Sequence, residues 1–364
     1  MILKKLSILN YKNIAEANLE FSDKLNCFTG RNGMGKTNLL DAIYYLSFTK
    51  SFVHLSEQFA VRNGADYMML KGEYLRRDEP EEISCGYRPG KRKVIKRNGK
   101  EYKRISMHIG LLPAVMVSPL DWELIRGGSD ERRRLIDQII SQSDPQYLEA
   151  LIKYNKYLEQ RNSMLKRGFR DSLLFESIEI PLSESAQFIY NKRNLWIEEF
   201  APIFNEYYNK ISGGEEAVQL QLVSQLSERT MQQLLDANRE KDAILGYTSA
   251  GVHRDDIELL LNGISMRKVG SQGQCKTYTI ALRLAQYELT KRNCNDLKPL
   301  LLLDDIFDKL DGTRVANIIS VVSMDKFGQI FITDTDRTYI DQTIREVGSK
   351  DFKIFSVDNG NCHD

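Results

Sequence analysis

Gly30-Arg31-Asn32-Gly33-Met34-Gly35-Lys36-Thr37 fits the phosphate-loop pattern, in which spaced glycines are followed by Lys and then Ser or Thr. The glycines let the backbone turn so that successive N–H groups point inward at phosphate oxygens. A helix starting at Lys36 adds the positive end of its dipole to that nest. Lys36 is placed to reach β and γ phosphates, and the Thr37 hydroxyl is an oxygen ligand of the kind Mg²⁺ prefers. The flanks supply the required order. Leu25-Asn26-Cys27-Phe28-Thr29 reads as a short buried strand, and Asn38-Leu39-Leu40-Asp41-Ala42-Ile43-Tyr44-Tyr45-Leu46 carries apolar residues at helical spacing.

The 364 residues, 28% charged and 42% hydrophobic, suit a globular chain longer than one typical domain, so a sizeable insertion or a second domain is expected. No apolar run approaches the ~20 residues that span a bilayer. Residues 1–9 are too interrupted by lysine for a secretory signal and alternate as a strand does. Five scattered cysteines without a CxxC pair, and only four histidines, argue for a reducing compartment, the cytoplasm by default, and give no support to a zinc site. The formal net charge is +1, so a nucleic-acid surface has to come from local patches.

Along the chain, strands are expected over 2–9, 17–21 and 26–29. An antiparallel sheet is expected over 67–118, turning at Asn98-Gly99. Lys91, Arg92, Lys93, Lys96, Arg97, Lys100, Lys103 and Arg104 crowd around that turn, opposed only by Glu101. Two readings compete here: a solvated hairpin whose lysines blunt a sheet edge, and a grip on a phosphate backbone through residues such as Lys93, Lys96 and Arg97. From 129 to about 209 the apolar period becomes helical, with Leu135, Ile136, Ile139 and Ile140 on one face. One long helix is expected over 182–211, broken by Gly213-Gly214. The domain reading is therefore 1–120 as one part of an α/β body, 121–244 as an inserted helical arm, and 245–364 as the rest of the body. In that last part helices at 271–291 and 313–322 alternate with apolar strands at 299–303 and 329–333, which implies a parallel sheet with covering helices.

Leu300-Leu301-Leu302-Leu303-Asp304-Asp305 delivers two carboxylates at the C-terminal end of a buried strand, where ligands collect in open α/β sheets. Asp304 is placed to hold Mg²⁺, and Asp305 to polarise an attacking water; the plainer reading is that one of them caps the next helix. Ser271-Gln272-Gly273-Gln274 opens a helix and can present N–H groups and a hydroxyl to a phosphate.

In this order the segments resemble the ABC-type ATPases, and within them the SMC-like branch that serves DNA replication and repair. The resemblance covers nearly the whole chain. It rests on the glycine loop with Asn38-Leu39-Leu40-Asp41-Ala42-Ile43, Lys50-Ser51-Phe52, Ser118-Pro119-Leu120-Asp121, Gly127 with Arg132-Arg133-Arg134-Leu135-Ile136-Asp137, Gly251-Val252-His253-Arg254-Asp255-Asp256, Ser271-Gln272-Gly273-Gln274, and residues 300–311. It implies an α/β fold: an ABC-type P-loop ATPase head with an antiparallel β subdomain and an inserted α-helical arm. It implies ATP and Mg²⁺ as cofactors, with ATP held by Gly30, Arg31, Asn32, Gly33, Met34, Gly35, Lys36, Thr37 and Asn38 of one subunit. Ser271, Gly273 and Gln274 of a second subunit complete the site, so that nucleotide drives a homodimer. Lys36, Asp304 and Asp305 are the implied catalytic residues, Thr37 and Asp304 the implied Mg²⁺ ligands, and Asp311 belongs to a loop crossing the dimer interface.

The resemblance further implies double-stranded DNA at gaps and junctions as partner, loading of recombinase, and recombination mediator proteins of the RecR/RecO type, with no membrane. Arg132 and Arg133 join the basic hairpin as DNA candidates on this ground; without it, an arginine run on a helix is a solvated, acid-paired face. ABC proteins at large carry Glu where Asp305 stands, and the shorter side chain suits a slow switch. Thr333-Asp334 occupies the place of the usual switch histidine, and nothing is assigned to Cys275. An ABC transporter ATPase is the alternative, but transporters keep the phosphate loop and the Ser-Gly segment far closer in sequence than Gly30 and Ser271. A small-molecule kinase leaves the Ser271 segment without a role, and long coiled-coil arms need more heptads than the insertion holds.

Overall fold

Alternation of apolar and polar residues in 1–20 produces β1 (Ile2–Tyr11) and β2 (Ile14–Glu20), each with one buried face. Leu25, Cys27 and Phe28, with Asn26 buried among them through hydrogen bonds to the Ser22 backbone, produce β3 (Leu25–Thr29), buried on both sides. The chain is seen in a computed structural model that describes residues 1–364 except 54–55, 170, 215, 309, 336–340, 342–343, 346–350 and 364. It divides into two units. The first comprises Met1–Trp122, Tyr207–Glu215 and Ser271–Asp364; the second comprises Glu123–Glu206 and Glu216–Gly270.

In the first unit, α1 (Lys36–Phe48) follows the glycine loop. Then come β4 (Met68–Arg76), β5 (Glu79–Tyr87), β6 (Val94–Arg97) and β7 (Lys100–Glu101). Asn98 and Gly99, at φ 49° and 77°, form the expected tight turn between β6 and β7. These strands join β1 and β2 in an antiparallel sheet of order β2-β1-β4-β5-β6-β7. The expected antiparallel region ends early. β8 (Ala114–Val117), four buried apolar residues, leaves it and pairs in parallel with a later strand, because a strand buried on both faces belongs inside an α/β layer.

The second unit is entered through α2 (Trp122–Arg126). It is built on α3 (Ser129–Ser143), α4 (Pro145–Lys166) and most of the 41-residue α5 (Ser172–Ser212), which contains Pro181 and Pro202; from Tyr207 that helix, with the Gly213 and Gly214 that follow it at φ 89° and 84°, belongs to the first unit. The second unit is not purely helical: β9 (Val218–Val223), β10 (Asp256–Leu261) and β11 (Ile264–Ser265) form a three-stranded sheet of order β11-β10-β9, accompanied by α6 (Met231–Ala237), α7 (Arg239–Leu245) and α8 (Met266–Val269). The body resumes at Ser271 and not at 245, since β10 finds its hydrogen-bond partner in β9. Two arginines organise the unit's interior. Arg161 pairs with Glu179 and Asp242, each at 2.8 Å, and Arg193 with Asp255 at 2.7 Å and Asp137 at 2.8 Å. A buried guanidinium is tolerated only when its fork is matched in this way.

Back in the first unit, α9 (Gln272–Asn293), β12 (Leu300–Asp304), α10 (Gly312–Val322), β13 (Ile330–Asp334), β14 (Phe352–Asp358) and β15 (Asn361–His363) complete the second sheet, of order β15-β14-β3-β13-β12-β8. All its pairings are parallel except β14 with β15. Phe21 packs edge-on to Phe331 at 5.0 Å and Phe355 at 5.6 Å, while Phe28 stacks on Phe355 at 5.3 Å. These rings fasten the end of β2 to the parallel layer. The α/β head, antiparallel β subdomain and helical arm of the expected fold class are thus present. The parallel sheet brings the C-terminal ends of β3, β12 and β13 side by side, which positions the site.

Candidate functional site

The glycine loop leaves β3 and ends at Gly35, the N-cap of α1, at φ 111°. Its glycines are demanded by close approach. A Cβ on Gly30 would lie 2.3 Å from the carbonyl oxygen of Val357, and one on Gly35 would lie 2.7 Å from the Asn13 amide. Asn13, in the turn between β1 and β2, donates Nδ2 to the Met34 carbonyl at 3.2 Å and accepts from Asn38 Nδ2 at 2.7 Å. The Gly360 N–H donates to the same Met34 carbonyl at 2.8 Å. Two distant turns therefore hold the loop open. Lys36 folds across it, donating from Nζ to the carbonyls of Gly30 at 2.6 Å and Arg31 at 3.0 Å.

At the facing strand ends, Thr37 Oγ1 lies 2.9 and 3.1 Å from the two carboxylate oxygens of Asp304. Thr333 donates its hydroxyl to Asp304 Oδ1 at 2.7 Å. Neither Asp304 nor Asp305 caps a following helix, because that place is taken by Asp311, whose carboxylate accepts the Arg314 N–H at 2.9 Å ahead of α10. Asp305 stands in the left-handed region at φ 48°, which costs a non-glycine residue about 1 kcal/mol. Its N–H donates to the Thr333 carbonyl at 3.2 Å. Burial pushes the Asp304 carboxyl above its ordinary value, against the pull of the Thr333 and Thr37 hydroxyls; Asp305 adds to the push and Lys36 opposes it. Burial also lowers Lys36, which the carboxylates of Asp305, Asp304 and Asp334 counteract. A hydroxyl and a buried carboxylate converging beside a glycine cradle form a hard-oxygen donor set that fits Mg²⁺, and the loop N–H groups with Lys36 fit polyphosphate.

Two cavities adjoin these groups. One, of about 280 Å³, is lined by Ser118, Trp122, Gln272, Lys276, Asp304 and Asp308. The other, a wider cleft of about 780 Å³, is lined by Lys12, Asn13, Phe59, Arg62 and Asn63 among others, so it shares Asn13 with the loop. Ser271 caps α9 in a reciprocal arrangement, its Oγ accepting from Gln274 N at 3.2 Å and Gln274 Oε1 accepting from Ser271 N at 2.9 Å.

Residues 1–235 match the AAA ATPase domain family. The DNA replication and repair protein RecF of Parabacteroides distasonis is 54% identical over 99% of this chain and 98% of its own, and that of Bacteroides thetaiotaomicron is 51% identical over 99% and 98%. The chain belongs to the RecF family. A solved RecF, described as the recombination mediator protein RecF-ATP in the RecFOR pathway, superposes with a TM-score of 0.87 at 29% identity, covering 100% of this chain and 97% of that one. The Smc head domain of Pyrococcus furiosus, at 18% identity and a TM-score of 0.57, shares the fold. RecF membership makes this an ATPase-domain protein of DNA replication and repair and does not favour the transporter alternative. Among the described residues no helix is long and apolar enough to cross a membrane.

Within this RecF-family chain the basic candidates separate. Lys93 is drawn into the interior, where Nζ meets the Glu57 carboxylate and the Thr49 carbonyl, so it is removed from the exposed grip. Arg97 is held by Glu81 at 2.5 Å. Arg132 forks onto Asp256 at 2.6 and 2.9 Å, and Arg133 reaches the Asp255 carbonyl at 2.6 Å and pairs with Asp130. The arginine run is thus acid-paired, and Arg132 and Arg133 brace the second unit. Lys91, Arg92, Lys96, Lys100, Lys103 and Arg104 are exposed. Two site residues escape sequence reasoning, Asn13 and Lys276, and a third, Thr333, is marked by it only as standing with Asp334 in the place of a switch histidine. The tasks of Asn13 and Thr333 carry no local signal, since their partners lie far away in the chain. Lys276 could have been noticed two helical turns before Arg283, on one face of α9.

Proposed function

We propose that the chain is an ATP-switched DNA-binding protein, active as a homodimer that closes over nucleotide. The observation that carries this is the junction of Thr37 with Asp304, which joins the phosphate loop to the metal-type carboxylate inside one α/β head. Lys36 turns from the loop carbonyls to phosphate oxygens. Thr37 and Asp304 would hold Mg²⁺, which would supply charge neutralisation to the phosphates. Asp305 orients the attacking water, and its short side chain and left-handed backbone make hydrolysis slow. Arg31, Asn32 and Gly33, exposed at the loop's tip, line the phosphates, while the cleft shared by Lys12, Asn13 and Arg62 takes the nucleoside end. Ser271, Gly273 and Gln274 act on the partner's nucleotide from an exposed helix N-terminus, with Asp311 beside the interface.

The RecF-ATP description of the structural relative supports ATP. The RecFOR context supports mediator partners of the RecR/RecO type, and the exposed lysines of the β6–β7 hairpin support contact with duplex DNA near gaps. Steady-state ATP hydrolysis by wild type and Asp305→Asn, with and without duplex DNA at modest salt, tests the reading. A slow rate that rises with DNA and disappears in Asp305→Asn is expected. A rate indifferent to DNA overturns the DNA switch, and an active Asp305→Asn assigns the water to another group.

A further inference from the structure

Lys276 lies in the first turns of α9, the helix capped by Ser271. Its Nζ donates to two main-chain carbonyls of the turn that follows β12, Asp305 at 3.1 Å and Asp308 at 2.7 Å. Between those carbonyls Ile306 and Phe307 are buried, so the turn is anchored by apolar side chains and by one ammonium that spans its two ends. On its other side the Asp305 N–H is bound to the Thr333 carbonyl of β13 at 3.2 Å. The left-handed peptide of Asp305 is therefore clamped from both directions, by β13 through its N–H and by α9 through its C=O. A second lock steadies α9 itself: Arg283 donates to Asp121 Oδ1 at 2.6 and 3.1 Å, and both side chains are buried.

We infer that Lys276 is a positioning residue for Asp305, coupling the helix whose N-terminus serves the partner's nucleotide to the hydrolytic carboxylate of its own chain. The inference rests on the reading that Asp305 orients the water and that Ser271 acts in trans. Any displacement of α9 on dimer closure moves an ammonium bonded to the Asp305 carbonyl, and a carboxylate shifted by an ångström loses up to about 100-fold in rate. Lysine suits the task because its charge strengthens both carbonyl contacts. Arginine can donate to the same carbonyls, whereas methionine fills the space without donating.

Lys276→Met should lower kcat for ATP at least about tenfold with KM and nucleotide affinity unaltered, and Lys276→Arg should restore most of the loss. An unaltered kcat, or a fall matched by weakened nucleotide binding, overturns the inference. Mixed dimers separate it from the reading beneath it. Lys36→Ala and Ser271→Arg chains, each inactive alone, assemble one complete site when mixed, from the phosphate loop and Asp305 of the Ser271→Arg chain and the Ser271 of the other. Absence of recovered activity overturns the trans reading and leaves the kcat and KM split to decide on Lys276. With activity recovered, adding Lys276→Met to the Ser271→Arg chain should reduce the mixed rate about ten times more than adding it to the Lys36→Ala chain. Equal losses in the two arrangements overturn the positioning role.

Discussion

Thr333 lies near the end of β13, in the Thr333-Asp334 pair that the ABC-type resemblance sets in place of a switch histidine, and its hydroxyl donates to the carboxylate oxygen of Asp304 that Thr37 also approaches. Threonine there carries no proton that titrates near neutral pH, so its work is geometric: it fixes the carboxylate's rotation and offsets part of the burial cost of its charge. Thr333→Val keeps the shape and deletes the donor. It should raise the Mg²⁺ concentration required for half-maximal ATP turnover by about 10- to 100-fold, the usual cost of losing a ligand's hydrogen-bonding support, with a wild-type far-UV spectrum. A Mg²⁺ titration of the hydrolysis rate checks this, and an unshifted midpoint would show that Asp304 holds its orientation without help. The glycine loop and Asp304 were legible in sequence because local chemistry dictates them. The task of Thr333 was not, because a threonine at a strand end acquires it only when β12 and β13 lie side by side.

The segment Gly251-Val252-His253-Arg254-Asp255-Asp256 shows how an element can be recognised without its role being visible. Around it the second unit gathers its buried charges: Asp255 accepts from Arg193, and Asp256 from Arg132. His253 accepts from Tyr154 on α4 at 2.6 Å and donates to the Thr248 carbonyl at 3.0 Å. Gly251 is required because a Cβ would lie 2.7 Å from the Met231 side chain and 2.8 Å from the Tyr154 hydroxyl. Burial, opposed by the hydrogen bond to the Thr248 carbonyl and more weakly by Asp242, with smaller pushes from Arg254 and Arg133, lowers His253 from its ordinary 6.5 to about 4. The unfolded chain therefore binds this proton first, so stability is present above pH 6.5 and is lost as pH falls toward 4. Trp196 is buried in α5, and in a Trp122→Phe background it reports on this unit alone. Its urea midpoint should fall between pH 7 and pH 5, by about 2 kcal/mol of stability, and the fall should shrink in His253→Gln. A midpoint equal at both pH values would mean that His253 stays protonatable in the folded arm. Sequence periodicity found the arm's helices, but it assigned β10 to the body, since a strand's hydrogen-bond partner is invisible until β9 is seen beside it.

For the whole molecule, a net charge of +1 gives little long-range attraction to DNA, so any grip depends on where the cations are left exposed. Folding sorts them. Lys93, Arg97, Arg132 and Arg133 are consumed by carboxylates and carbonyls of the chain itself, while Lys91, Arg92, Lys96, Lys100, Lys103 and Arg104 remain at the surface around a rigid two-residue turn. Sequence reasoning could count the positive charges but not distinguish these groups, because the deciding acids, Glu57, Glu81 and Asp256, lie elsewhere in the chain. The distinction separates two effects that a crude charge deletion would merge. Replacing Lys96, Lys100 and Lys103 together by Gln removes only exposed charge, so the fold should be intact, duplex affinity should fall, and the slope of log K against log salt should flatten by about 0.9 for each phosphate no longer neutralised. Lys93→Gln removes a charge from the same loop region but from a buried ammonium, taking a charged donor from the Thr49 carbonyl and the half-exposed Glu57, so it should lower the thermal midpoint without flattening the slope. A salt titration of duplex binding on both variants checks the assignment. If Lys93→Gln flattened the slope and the triple variant did not, DNA would have to displace Lys93 from Glu57, and the grip would lie on the buried side of the hairpin.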